Sequence, residues 1–266
     1  MNSMVSAMNF NVQPTQELCI EHNELKVNLF GRVVCKSCAK EFLNEVHVKH
    51  ESEVNQSVRE KHFAGAMLPS RHAESGFKNY QVKNNGQQIA LTQCSTFAKD
   101  INNGMNRNLI MVGRTGTGKT HLSCAVAKNV LNKRKYARYI TSEDMANEIA
   151  NAWKKADDSE ASAIHRFTEY DLLILDEYGL HDRHENRLQL VHKVLYSRYD
   201  AKKATMLISN MTIDELQKDL GDRLWSRFRH NGLTIVECNW IDSRVGGGVG
   251  RFLKNGFQMF AAQSKT

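Results

Sequence analysis

At 266 residues, with 41% hydrophobic and 24% charged side chains, the chain has the composition of a soluble globular protein, which excludes a disordered or fibrous one. The opening residues lack the basic start and unbroken apolar run of a secretion signal, and no segment approaches the roughly 18 apolar residues needed to cross a bilayer, so a cytoplasmic location is expected. A net charge of +7 is compatible with contact to a polyanion, although a solvated basic face explains such an excess as well.

Residues 1–17 show no periodicity and are expected to be a mobile tail. Next come Cys19-x-x-His22 and, after twelve residues, Cys35-x-x-Cys38. Two tight pairs of soft ligands can clamp opposite sides of a tetrahedral Zn²⁺, with Phe30, Val33 and Val34 as a small core. A redox pair at Cys35 and Cys38 is another reading, but it leaves Cys19 and His22 unexplained; unrelated reduced thiols are a third. Cys94, Cys124 and Cys238 are isolated, and Cys124 and Cys238 lie beside apolar residues, as small buried hydrophobes do.

From about Lys40 to Lys61, Phe42, Val46, Val54 and Val58 recur among Glu, Lys and His, which suits an exposed helix. The stretch Gly65 to Gly76 contains Pro69 among Ser, Arg and His and reads as a linker. Beyond Phe77, short apolar runs alternate with longer amphipathic ones, the pattern of βα units around a parallel sheet. The expected strands are Leu109–Val112, Arg138–Ile140, Leu172–Leu175, Thr205–Ser209 and Leu233–Val236. Between them, Thr141-x-x-Asp144 is a helix-capping signal for the stripe Met145, Ile149 and Trp153, and Leu188, Val191 and Leu195 form a second helical stripe.

Gly113 to Thr120 fits G-x-x-x-x-G-K-T between an expected strand and an expected helix. Glycines there let backbone N–H groups turn toward phosphate, the helix N-terminus adds positive potential, and a lysine neutralises the terminal oxygens. The expected nucleotide-holding set is Gly113, Thr115, Gly116, Thr117, Gly118, Lys119, Thr120 and His121, with the Thr120 hydroxyl on Mg²⁺. The run Leu172 to Glu177 is an apolar strand ending in two acids: Asp176 is expected to orient Mg²⁺ through water and Glu177 to polarise the attacking water, unless both merely cap the next helix. Asn210 ends another apolar strand, where it either faces the terminal phosphate or is a turn residue.

These motifs, together with Gly76-Phe77-Lys78-Asn79-Tyr80, Leu220 to Phe228 and Asn239-Trp240-Ile241-Asp242-Ser243-Arg244, resemble the AAA+ ATPases of the initiator clade. Within that clade they are most similar to the DnaC-type replicative helicase loaders of bacteria and phages. The resemblance covers roughly residues 65–245. It implies that Arg227 is an arginine finger reaching a neighbouring subunit's ATP and that Arg244 is a sensor within its own subunit. With Lys119, Asp176, Glu177 and Asn210 these would form the catalytic set. It further implies nucleotide-dependent oligomers, a replicative hexameric DNA helicase as partner, and contact of single-stranded DNA with the insertion Ser142–Thr168. In that insertion Trp153, Lys154, Lys155, His165, Arg166 and Phe167 offer aromatic and cationic groups, although Trp153 as part of the helical stripe reads better as core. Lys133, Arg134, Lys135 and Arg138 form a denser basic cluster, which a helix C-terminus also favours. The amino-terminal cluster departs from the best-known DnaC-type loader, whose amino-terminal domain is helical without metal, and looks more like the zinc-bearing loaders of other bacteria and phages.

The expected architecture is an α/β AAA+ P-loop core with a parallel sheet flanked by helices, preceded by a small zinc-binding domain. Its parts are a tail at 1–17, a zinc-binding, helicase-contacting domain with a helix at 18–63, a linker at 64–76, the ATPase domain at 77–245 and a Gly-rich tail at 246–266. ATP, Mg²⁺ and Zn²⁺ are the expected cofactors. The function expected is ATP-dependent loading of the replicative helicase onto single-stranded DNA in the bacterial host cytoplasm. Its rivals are an IstB-like transposition ATPase and a nucleotide-switched adaptor without useful turnover.

Overall fold

A computed structural model describes residues 13–180 and 185–240 and divides the chain into two compact units, residues 1–58 and 59–266. In the first unit β1 (Gln13–Leu18), β2 (Leu25–Leu29) and β3 (Arg32–Val34) form an antiparallel sheet in chain order. Phe30 and Gly31, both at positive φ (50° and 82°), make the tight turn between β2 and β3, and the Gly31 amide donates to Asn28 Oδ1 at 2.9 Å. Among its described residues Cys19, Val27 and Cys35 are the buried apolar ones. Helix α1 (Lys36–Gly65) starts here and buries none of its residues, as its charge-rich sequence leads one to expect.

The tail expected at 1–17 is corrected over its last part. Gln13, Pro14 and Leu18 pair with Asn28, Val27 and Leu25, and the Thr15 hydroxyl donates to the Lys26 carbonyl at 2.8 Å. Backbone pairing, this hydroxyl and the Lys26 ammonium, which donates to Glu17 Oε2 at 3.4 Å, hold the strand, so its polar sequence carried no apolar alternation to reveal it.

The second unit is a five-stranded parallel sheet in which all five expected strands are found. They are β4 (Asn108–Gly113), β5 (Ala137–Thr141), β6 (Leu172–Tyr178), β7 (Ala204–Ser209) and β8 (Leu233–Cys238), in the order β5-β6-β7-β4-β8. Leu109 and Met111 of β4 face one apolar cluster and Ile110 and Val112 face another, as alternating strand residues must. The first cluster is closed by α2 (Asn85–Asn102) and α3 (Lys119–Leu131). The second is closed by α4 (Ser142–Ala152), α5 (Glu160–Glu169), α6 (Glu185–Asp200) and α7 (Ile213–His230). Covering on both faces is what makes the strands nearly all apolar, each buried Leu, Ile or Val contributing about 2 kcal/mol. Cys94, Cys124 and Cys238 are fully buried.

Two local expectations fail for identifiable reasons. Thr141 caps α4 as foreseen, its hydroxyl oxygen accepting from the Asp144 amide at 3.1 Å, but the helix ends at Ala152. Trp153 is therefore the C-cap and stands 66% exposed instead of continuing the buried stripe of Met145 and Ile149. Nor is 64–76 a free linker: Ala66 is fully buried and Leu68 packs on the first cluster. The Ala66 carbonyl accepts from the Tyr139 amide at 2.9 Å, occupying the outer edge of β5. Among the described residues no helix is long and apolar enough to cross a membrane.

Candidate functional site

At the carboxyl edge of the sheet, β4 ends in Gly113 and the chain turns through Arg114 to Gly118 before α3 begins at Lys119. Gly113 has φ 137°, and a Cβ there would come within 2.3 Å of the Cys238 carbonyl oxygen, so no side chain fits beside β8. Gly118, at φ 88°, passes under the Tyr80 ring, which a Cβ would meet at 3.1 Å. The turn is fastened by Thr117, whose hydroxyl donates to the Arg114 carbonyl at 2.8 Å and whose own carbonyl accepts the Trp240 indole N–H at 2.8 Å.

A cavity of about 650 Å³ opens over this turn, lined by Thr115, Gly116, Thr117, Gly118, Lys119, Thr120 and His121 together with Asp176, Glu177 and Asn210. The expected nucleotide-holding and acidic residues are thus brought to one place, with Gly113 just behind. Lys119 is only 7% exposed, and its ammonium donates to the carbonyls of Gly113 (2.6 Å) and Arg114 (2.8 Å) and to Asn210 Oδ1 (2.9 Å). A buried cation requires such partners. The His121 ring N–H donates from Nε2 to the Gly76 carbonyl at 3.0 Å and lies against Tyr80, ring centroids 5.3 Å apart.

Asp176 is buried near the end of β6. Its Oδ1 accepts from the Glu177 amide at 2.7 Å, and its Oδ2 from the Thr120 hydroxyl at 3.3 Å and from the Tyr139 hydroxyl. Burial first, and then the Asp176 charge, push the Tyr139 phenol up, so it stays a donor. Glu177 adopts a left-handed φ of 56°, where β6 loses register with β7 between Leu175 and Tyr178, and its exposed side chain lines the cavity. Such strain in a non-glycine residue has to be held in place by its surroundings. Thr120 and Asp176 together supply hard oxygen ligands suited to Mg²⁺, and the glycine turn with Lys119 suits a polyphosphate.

In the first unit, ligand atoms of Cys19, His22, Cys35 and Cys38 lie within 4.8 Å of one another. The Cys19 and Cys38 sulfurs are 3.6 Å apart, and His22 Nδ1 is 3.3 Å from Cys38 Sγ and 3.8 Å from both Cys19 Sγ and Cys35 Sγ. A tetrahedral zinc with bonds of about 2.3 Å to sulfur and about 2.0 Å to nitrogen sets these spacings at ~3.8 Å and ~3.5 Å, so the donor set fits. Hydrogen bonds from His22 lower the Cys19 thiol to about 6, whereas the hydrogen bond with Cys19 and then burial raise the Cys38 thiol to about 12, so the two sulfurs titrate as a pair. His22 Nε2 lies 3.0 Å from Glu41 Oε1, so a carboxylate is in place to orient the imidazole with Nδ1 facing the three sulfurs.

Other expected residues are dispersed. Arg227, on α7, is absent from the cavity lining; its guanidinium carbon lies 4.7 Å and 4.9 Å from the ring centroids of Tyr196 and Tyr199, and its Nη1 lies 3.6 Å from Asp200 Oδ1. Arg244 and the Gly-rich tail lie outside the described residues. Trp153, Lys154 and Lys155 form an exposed group, whereas Phe167 is core and Arg166 is paired with Asp158 at 2.8 Å. Sequence reading missed Tyr139 and the contact of Trp240 with the phosphate turn. Both depend on which strands are neighbours, and only the sheet order supplies that.

The family described as "IstB-like ATP binding protein" matches residues 35–227. The chain is 28% identical over 196 residues to the Escherichia coli K12 "Uncharacterized protein YdaV", covering 72% of this chain and 78% of that one. It is also 28% identical over 173 residues to the E. coli K12 "Replicative helicase loader DnaC", covering 65% and 70%. A crystal structure of the DnaC helicase loader superposes with a TM-score of 0.57 at 21% identity, covering 63% of this chain and 99% of that chain.

Proposed function

The chain belongs to the IstB-like ATP-binding family of AAA+ ATPases, and from that premise we propose that it hydrolyses ATP to load a replicative hexameric DNA helicase onto single-stranded DNA. The convergence of Lys119, Thr120, Asp176, Glu177 and Asn210 on one cavity carries this reading, and the likeness to a protein named as a replicative helicase loader supports its finer part. Lys119 and the turn Gly113 to Gly118 hold the phosphates, while Thr120 and Asp176 hold Mg²⁺, which supplies charge neutralisation at the phosphates when bound. Glu177 accepts a proton from the attacking water, Asn210 orients that water, and Arg227 of a neighbouring subunit stabilises developing charge, with Arg244 acting from its own subunit. The zinc held by Cys19, His22, Cys35 and Cys38 is structural and maintains residues 18–63 as the helicase-contacting part. The protein acts in the cytoplasm of the bacterial host.

Co-purification of the full-length chain with the host's replicative helicase tests the proposal. Complex formation with ATP and release on hydrolysis in the presence of single-stranded DNA is the expected result. No complex under any nucleotide condition overturns it. The family description keeps one second reading open, a transposition ATPase, which would instead show strong preference for duplex over single-stranded DNA.

A further inference from the structure

Tyr139 belongs to none of the motifs described above, yet its hydroxyl ends on the carboxylate expected to organise the cation. We infer that Tyr139 is a positioning residue for the divalent cation of the ATP site, holding the Asp176 carboxylate in the orientation in which it organises that cation; the inference rests on the ATP reading of the cavity.

Three donors define that orientation. The Glu177 amide takes Asp176 Oδ1 at 2.7 Å, while Oδ2 receives the hydroxyls of Thr120, at 3.3 Å, and of Tyr139. Thr120 is a shared donor, because the same hydroxyl serves the cation in the proposed site. Tyr139 also lines the cavity, but its O–H is directed to Asp176 and its ring is packed against the apolar cluster under α2 and α3. Its backbone is equally fixed: β5 pairs with β6 from Ala137↔Leu172 to Thr141↔Asp176, and the Tyr139 amide donates outward to the Ala66 carbonyl at 2.9 Å. Carboxylates turn readily about their terminal torsion, so a donor mounted on rigid backbone is what holds one still. Partners of this kind behind a metal ligand typically change metal affinity or activity by about 10–100-fold when removed.

The discriminating variant is Tyr139→Phe, which deletes the hydroxyl and keeps the ring. Binding of a fluorescent ATP analogue to the full-length chain, titrated with Mg²⁺, should show the half-saturating Mg²⁺ concentration rise about tenfold, while binding in EDTA and the thermal melt stay near wild type. Tyr139→Leu should shift the Mg²⁺ midpoint equally, because the hydroxyl and not the ring is the agent. A midpoint for Tyr139→Phe within about twofold of wild type overturns the inference, as does a shift seen with Leu but not with Phe. Failure of the wild-type chain to bind the analogue at any Mg²⁺ concentration would instead overturn the ATP reading itself, and the inference with it.

Discussion

The ammonium nitrogen of Lys119 lies 2.9 Å from Asn210 Oδ1, so the first residue of α3 and the residue following β7 are joined across the cavity. The same ammonium is held by the carbonyls of Gly113 and Arg114, and phosphate oxygens entering the turn must replace some of these acceptors. Asn210 is then released to another donor, which in the proposed mechanism is the attacking water.

Asn210→Ala should therefore separate binding from turnover. Equilibrium ATP affinity is expected to stay within about threefold of wild type, while steady-state phosphate release falls by about 100-fold, as for loss of one preorganised polar contact made mainly in the transition state. A loss of affinity that accounts for all the lost turnover would reduce Asn210 to a support for Lys119.

Arg198 predicts a stability effect remote from the cavity. Fully buried on α6, it donates to the carbonyls of Phe167 (2.6 Å), Tyr170 (2.9 Å) and Ala204 and to the Thr205 hydroxyl (3.1 Å). One guanidinium thus satisfies the end of α5, the approach to β6 and the start of β7. Burial lowers its pKa to about 9, which leaves it charged at neutral pH. Arg198→Met keeps the apolar stem but strands buried acceptors, so urea unfolding should show a loss of about 3 kcal/mol or more. A change below about 1 kcal/mol would mean that water or backbone adjustment replaces these bonds.

Zinc is expected to maintain the first unit alone. Chelation of the purified chain should release a single zinc ion per chain, detectable with a colorimetric indicator, and cost the β1–β3 region its amide-exchange protection. Nucleotide binding by the second unit should be unaffected. Cys35→Ser should reproduce the effect, whereas Cys94→Ser should retain the metal. Zinc retained at wild-type stoichiometry in Cys35→Ser would exclude this ligand set.

The parts legible in the sequence were those written in short-range patterns. The apolar runs of β4 and β6 carry their own boundaries, Gly113 to Thr120 is contiguous, and Thr141 with Asp144 announces a cap three residues apart. What escaped depends on distant neighbours or on where an element stops. Gln13–Leu18 is a strand because Leu25–Leu29 pairs with it, and its own mostly exposed residues show no alternation. Trp153 continues a helical spacing, but α4 ends one residue earlier, and nothing in the stripe encodes that stop. Tyr139 and Trp240 reach the site across strand order, one from β5 toward β6 and the other from beyond β8 to the phosphate turn.

Arg227 provides the test of assembly. Its guanidinium lies against the rings of Tyr196 and Tyr199 with Asp200 beside it, a setting that orients a planar cation and that lysine reproduces poorly. If Arg227 acts on a neighbour's ATP, Arg227→Ala and Glu177→Gln chains are each inactive for opposite reasons: the first lacks the group it offers, the second lacks the group that uses it. Mixed in equal amounts, they should regain about a quarter of wild-type turnover, because random head-to-tail assembly places an intact Arg227 against an intact Glu177 at that fraction of interfaces. Arg227→Lys should resemble Arg227→Ala, and ATP binding by both should be close to wild type. Absence of any recovery on mixing, under conditions where the two variants demonstrably co-assemble, would show that Arg227 acts only within its own chain, as an element of the α6–α7 contact.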